Sequence, residues 1–159
     1  MVKNKMVNEV SSALLRCELF VKLTEKEIQP ISSLCQIETY KPGEQIFNQG
    51  DQGSKIYIIK DGQVTLERVV DLGERKATVS IAILGRGRAF GCWSVLWEET
   101  HNLMSSAVCN KKTQVISVEG LKLKDTLKNN PQVGYKVMER LAYLLGDRLR
   151  GAYGAMEKL

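Results

Sequence analysis

The sequence predicts a mainly β domain, an antiparallel sandwich or barrel of short strands, with helices before it and after it. Two observations carry this. Between Cys35 and Val118 the apolar residues come in short alternating or continuous segments separated by glycine and aspartate, the signature of strands joined by turns. On both sides of that region they recur at steps of three and four, the helical period. The 159 residues, 43% apolar and 26% charged, match a single ordinary globular domain. A chain of this size can bury roughly 70% of the surface it exposes when unfolded, so it folds without a disulfide or metal staple. The expected division is N-terminal helices over 8–34, strands over 36–118, and a hinge helix with a long C-terminal helix over 119–159, together one domain, 1–159.

In the first part Val10, Leu14, Leu15, Leu19, Phe20, Leu23, Ile28, Ile31 and Leu34 keep the helical period. Two short helices are expected to meet near Phe20 to Thr24. Thr24 followed by Glu27 is the spacing in which hydroxyl and carboxylate satisfy the first free amides of a helix. Pro30 kinks the second helix unless that helix begins close to it.

The strand candidates are Ile37 to Tyr40, Gln45 to Asn48, Lys55 to Ile59, Gln63 to Val70, Lys76 to Ile83, Ser106 to Cys109 and Gln114 to Val118. Lys41-Pro42-Gly43-Glu44 reads as a turn, and Asp61-Gly62 as a two-residue hairpin. Lys111 and Lys112 fall between two candidates as a second hairpin tip.

Leu121 to Leu127 form the hinge helix, and Asn130 caps the next one with Pro131 in its first turn, where the missing N–H costs nothing. Met138, Leu141, Leu145, Leu149, Ala152 and Met156 then recur at helical steps, with Val137 and Leu144 widening the face. A helix from Pro131 to the chain end is roughly 40 Å long. Its apolar stripe implies a partner helix and hence a homodimer; the alternative is that it packs back on its own barrel. Gly146, Gly151 and Gly154 are compatible with close backbone approach.

Composition leans away from an enzyme. The net charge of +5 permits anionic partners without requiring one, and no run of five like charges forms a nucleic-acid arm. His101 is the one histidine, whereas most zinc, iron and cupin-type sites draw on several imidazoles. Cys17, Cys35, Cys92 and Cys109 show no C-x-x-C spacing and read as reduced thiols, buried as small hydrophobes. No apolar run approaches a membrane span and the first residues have no secretory pattern, so the expected setting is the cytoplasm.

The segment from Tyr40 to Leu66, with Tyr40-Lys41-Pro42-Gly43-Glu44, Gly50-Asp51-Gln52-Gly53 and Gly62-Gln63-Val64, resembles the first half of a cyclic nucleotide-binding domain. Phe47 departs from it, standing where the family more often has a smaller aliphatic residue. The order of elements is also similar to this family, specifically to the effector domain of catabolite activator-like proteins without a helix-turn-helix. The resemblance implies a β-roll, that is, a double-stranded β-helix or jelly roll. It further implies a phosphate-binding cassette opening at Phe90-Gly91-Cys92-Trp93-Ser94 and closing near Met104-Ser105-Ser106-Ala107. In the family, backbone amides of the short cassette helix hold the cyclic phosphate, a glutamate takes the ribose hydroxyl and an arginine pairs with the phosphate.

Both ionic ligands are missing from their expected places. Cys92 stands at the glutamate position and Met104 or Ser105 at the arginine position, and no arginine occurs between Arg88 and Arg140. Losing the guanidinium alone removes roughly 1.5–3 kcal/mol of charge-assisted bonding. Three readings of the pocket follow. It takes a different, more apolar ligand; or it is an empty module kept for dimerisation or docking; or it binds a cyclic nucleotide weakly through amides, Ser94, Ser105 or Ser106, with Arg86 or Arg88 reaching in. The pocket residues implied by resemblance are Phe90, Gly91, Cys92, Trp93, Ser94, Met104, Ser105 and Ser106, with no cofactor and no metal. Trp93 and Trp97 share a helical face and serve either as a stacking platform or, more simply, as core. A regulatory, non-catalytic module is expected, without direct DNA binding because the sequence shows no helix-turn-helix after the long helix. The effector half of a transcription regulator, and an enzyme on a cupin-like barrel, are the rival classes.

Overall fold

The computed structural model describes residues 2–91, 93, 96, 99 and 101–158, with side chains from residue 7 onward. In chain order the elements are α1 (Val2–Leu15), α2 (Glu25–Ser32), β1 (Gln36–Tyr40), β2 (Gln45–Phe47), β3 (Lys55–Asp61), β4 (Val64–Asp71), β5 (Lys76–Leu84), β6 (Ala89–Gly91), β7 (Ser106–Cys109), β8 (Thr113–Glu119), α3 (Gly120–Asn129) and α4 (Pro131–Met156). Two four-stranded antiparallel sheets face each other, ordered β1-β8-β3-β6 and β2-β7-β4-β5. Partners nest about the β4–β5 turn: β4 pairs with β5, β3 with β6, β2 with β7 and β1 with β8. Such nesting is one long antiparallel ribbon rolled on itself, the β-roll expected from the resemblance.

This topology corrects two turn assignments. Asp61-Gly62 joins β3 to β4 across sheets, so it is a corner of the roll rather than a hairpin. Lys111 and Lys112 likewise sit on the corner between β7 and β8. A favoured turn dipeptide sets the local reversal, whereas rolling of the ribbon decides which sheet receives the next strand. The hairpin is at β4–β5, where Asp71 stands opposite Lys76. Strand β6, Ala89-Phe90-Gly91, was not among the sequence candidates.

The central strands of the first sheet, β3 and β8, are covered on both faces. Ile56, Ile58, Ile116 and Val118 point to the helices and share one core with Leu14, Phe20, Ile28, Ile31, Leu123 and Leu141. Ile59 and Val115, alternating with them, point into the roll beside Phe47, Val64, Leu66 and Phe90. A strand covered on both faces must be apolar at successive positions, which is why Ile56 to Ile59 reads as a continuous run. The Thr24–Glu27 capping box forms as expected. Pro30 lies inside α2, which closes two residues later at Ser32. The break between α1 and α2 is wider than expected, with Cys17, Leu19, Phe20 and Leu23 buried in irregular chain that fills the core.

At the other end Asn130 accepts from the Val133 amide and Pro131 opens α4. The inner face of α4 carries Val133, Val137, Leu141, Leu144 and Ala155, all buried. The helix then crosses β5, where a side chain on Gly151 would meet the Ile81 carbonyl at 2.9 Å. Gly151 is therefore a contact with the chain's own sheet, whereas Gly146 and Gly154 face open space.

Candidate functional site

A cavity of about 400 Å³ lies between the open end of the roll and the C-terminal half of α4. Phe47, Leu66 and Phe90 form its floor, Trp93 and the segment His101 to Ser105 its side, and Leu145, Arg148, Leu149 and Ala152 its roof. The size and the mostly apolar lining are those of a small-molecule pocket. Its floor is stiffened by three aromatic rings: Phe47 stands 5.8 Å from Tyr57 and 5.9 Å from Phe90, and Tyr57 stacks on Phe90 at 5.4 Å. Phe47, the departure from the family pattern, thus supplies a wall of the pocket.

The segment from His101 to Ser105 is fixed by the Gly50-Asp51 turn. Gly50 N–H donates to the Leu103 carbonyl at 2.8 Å, Leu103 N–H to the Asp51 carbonyl at 2.7 Å, and Asp51 accepts from the Asn48 amide. The glycine-aspartate motif read in the sequence therefore holds one rim of the cavity. Ser106 accepts from the Gln49 amide at 2.9 Å, which ties β7 to the same turn.

The structure brings Phe90, Gly91, Trp93, Met104 and Ser105 to the cavity. Ser106 is spent on Gln49 beside it, and Cys92, Ser94 and Trp97 lie outside the described residues. Neither Arg86 nor Arg88 lines this cavity. Arg86 donates from Nε to the Lys60 carbonyl and borders a separate cleft with Glu9, Arg16 and Lys60. Arg88 pairs with Glu18 and Asp147, both at 2.9 Å. Of the six residues placed on the dimer stripe, Leu141 is buried in the chain's own core, Met138 and Leu145 pack against that core, and Ala152 lines the cavity. Leu149 and Met156 are exposed.

Arg148 is the residue that sequence reasoning missed. Its side chain is 12% exposed and lines the cavity. Nη2 donates to the Ala89 carbonyl at 2.8 Å and lies 3.4 Å from Glu18 Oε1, and Nη1 is 3.2 Å from Asp147 Oδ2. Glu18 also accepts from the Ala89 amide, so both backbone groups of Ala89 in β6 are held by side chains, one of them from α4. Burial lowers the Arg148 guanidinium from its ordinary pKa, opposed by the Glu18 carboxylate. A signal was present: Arg148 stands seven residues after Leu141 and four after Leu144, a charge in register with the core stripe.

Among the described residues no three histidine, cysteine or acidic groups are placed to hold a metal ion together, and no helix is long and apolar enough to cross a membrane. A β-roll with a cavity roofed by its long C-terminal helix is the architecture of a regulatory domain. Residues 37–130 match the cyclic nucleotide-binding domain family, and the chain belongs to it. It is 34% identical over 134 residues to the cyclic AMP receptor protein of Thermus thermophilus, covering 84% of this chain and 58% of that protein. It is 31% identical over 123 residues to a cGMP-dependent protein kinase of Plasmodium berghei, covering 72% of this chain and 13% of the kinase. A solved cyclic nucleotide-binding domain from Methylobacillus flagellatus superposes with a TM-score of 0.79 at 24% identity, over 98% of this chain and 85% of that one.

Proposed function

We propose that this domain is a ligand-sensing regulatory module in which a small molecule between roll and α4 sets how α4 sits on the roll. The observation that supports this best is the shared lining: Phe90 and Trp93 from the cassette side and Leu145, Arg148, Leu149 and Ala152 from α4 face one volume. An occupant touches both bodies at once. It therefore has different contact energies in two packings of α4, which is what a ligand-driven population shift requires. The link from Arg148 to Ala89 makes the cassette strand and α4 move together.

The ligand is not held as a conventional cyclic nucleotide, because Cys92 and Met104 or Ser105 replace the acid and the arginine that the family uses. The module acts as a homodimer through an outward stripe: Ala142, Gly146, Leu149, Tyr153 and Met156 are exposed at the three-and-four spacing of a helix pair, with Tyr135 one heptad before Ala142. Two of these, Leu149 and Met156, belong to the stripe expected from the sequence. Cys17, Cys35 and Cys109 are free thiols, which suits a reducing cytoplasm.

Thermal unfolding with millimolar cAMP, cGMP, other nucleotides and small aromatic acids tests the pocket. A ligand with Kd near 10 µM stabilises by about 2.7 kcal/mol at 1 mM, which raises the midpoint by about 5–10 °C for a domain of this size. A flat response to the whole panel sinks the sensing reading and favours the empty docking module.

A further inference from the structure

A second cavity, of about 370 Å³, lies between the C-terminal half of α1, the end of β3 and the turn that joins β5 to β6, and it shares no lining residue with the first. Three cations line it, Arg16, Lys60 and Arg86, against one carboxylate, Glu9. That carboxylate stands 2.7 Å from Lys60, whose Nζ also donates to Gln114 at 3.0 Å. Arg86 spends only Nε, on the Lys60 carbonyl at 3.0 Å, which holds its fork in place with both Nη groups unpaired. Arg16 has no side-chain partner among the described residues. The turn that carries Arg86 is clamped from two sides, by Gly87 N–H donating to the Ile59 carbonyl at 2.8 Å and Glu18 N–H to the Gly87 carbonyl at 2.9 Å. A side chain on Gly87 would meet the Arg16 carbonyl at 3.2 Å, so the turn and the chain leaving α1 are close neighbours. The end of a helix attracts a cation, which accounts for Arg16 but not for Arg86 on a turn. Cations gathered round one acid repel one another, and a cleft lined by one sign concentrates counter-ions. No aromatic ring lines this cavity, so nothing in it stacks on a flat body.

We propose that this cleft is a second ligand site, for a phosphoanhydride chain: two or more linked phosphates, free or as the tail of a nucleotide. Each guanidinium fork fits two oxygens of one anion, so two forks and an ammonium ask for more charge and more oxygens than a lone carboxylate carries. Linked phosphates supply one group to Arg16 and one to Arg86, and Lys60 and the Ser12 hydroxyl complete the polar lining. The site stands apart from the pocket under α4 and does not depend on an occupant there.

The test is calorimetric titration of the full chain with orthophosphate, pyrophosphate, tripolyphosphate and ATP, at low ionic strength and without divalent cations. Affinity is expected to rise at least about tenfold from orthophosphate to tripolyphosphate, the worth of one added charge-assisted bond. ATP binding as tightly as tripolyphosphate supports a nucleotide tail as the source, and weaker ATP supports the free chain. Arg16→Gln and Arg86→Gln, both at exposed positions, each weaken tripolyphosphate at least about tenfold. Arg75→Gln, which removes the same charge from the exposed β4–β5 turn, leaves it unchanged. Because Arg86→Gln also releases the Lys60 carbonyl, the amide resonances of the wild-type chain are followed with tripolyphosphate, and those of Ser12, Arg16 and Gly87 must move. Binding of no phosphate at millimolar concentration, equal affinity for orthophosphate and tripolyphosphate, or a loss as large in Arg75→Gln each overturns the site. So do resonances that move at Trp93 and Leu149 instead. None of these results touches the reading of the first pocket, because the resonances report which cavity a probe enters.

Discussion

Leu141 and Leu149 are two turns apart on one helix, and the structure gives them opposite duties. Leu141 is 1% exposed in the core shared by α2, α3 and the first sheet, whereas Leu149 is 55% exposed at the edge of the cavity roof. Leu141→Ala removes three buried carbons from a site held on all sides and is expected to cost about 3 kcal/mol. For a domain of this size that lowers the unfolding midpoint by about 6–12 °C. Leu149→Ala is expected to cost under about 1 kcal/mol in the monomer, because little of its area is removed from water on folding. The assay is thermal unfolding of both variants at about 5 and 100 µM protein, with sedimentation on the same samples. The loss in Leu141→Ala is expected to be the same at both concentrations, and that in Leu149→Ala to be larger at about 100 µM and to shrink on dilution, as the wild-type dimer also dissociates. A small, concentration-dependent effect of Leu141→Ala would refute its place in the core and return it to the dimer face.

Gly91 has φ +123°, and a side chain there would meet the Lys55 carbonyl at 2.5 Å, so Gly91→Ala is expected to lose about 3 kcal/mol or more in urea unfolding. Burial pushes the Glu38 carboxyl up, but hydrogen bonds from Ser117 and Tyr40 and the Lys55 ammonium outweigh it and hold the pKa below its ordinary value. The stability this contributes is present above the ordinary carboxyl pKa and is lost as pH falls through the lowered one. The advantage of wild type over Glu38→Gln should therefore be full near pH 7 and shrink near pH 3, and a gap that widens in acid contradicts the assignment. Burial drives Cys17 and Cys35 up to about 12, so at pH 8 both stay protonated; iodoacetamide with peptide mapping should label Cys17 no faster than the chain unfolds. Tyr153→Asp, on the outward stripe at 59% exposure, should leave the midpoint at low concentration within about 0.5 kcal/mol of wild type and abolish the dimer in sedimentation.

The turns of the roll were legible because they are local, whereas the roll itself, rather than a sandwich or barrel in general, was implied by the family resemblance. Pro42-Gly43 and Gly50-Asp51 act within four residues, and their spacing fixes where the ribbon reverses. The sequence did not disclose which sheet each strand joins, since Asp61-Gly62 makes the same local reversal at a corner as in a hairpin. The same limit governs α4. Apolar residues occupy three sides of it, so the period identifies a helix but does not separate the side facing the core from the side facing out. Leu141 and Leu149 therefore fell on one stripe although the fold buries the first and exposes the second. The position that breaks the tie is charged. An arginine in register with Leu141, Leu144 and Ala155 must lie over the core or over a cavity, and a core would exclude it. Arg148 is accommodated because Glu18 and the Ala89 carbonyl meet it at the mouth of the roll. A charge on a core stripe thus marks where the helix leaves the packed interior and begins to roof a binding volume.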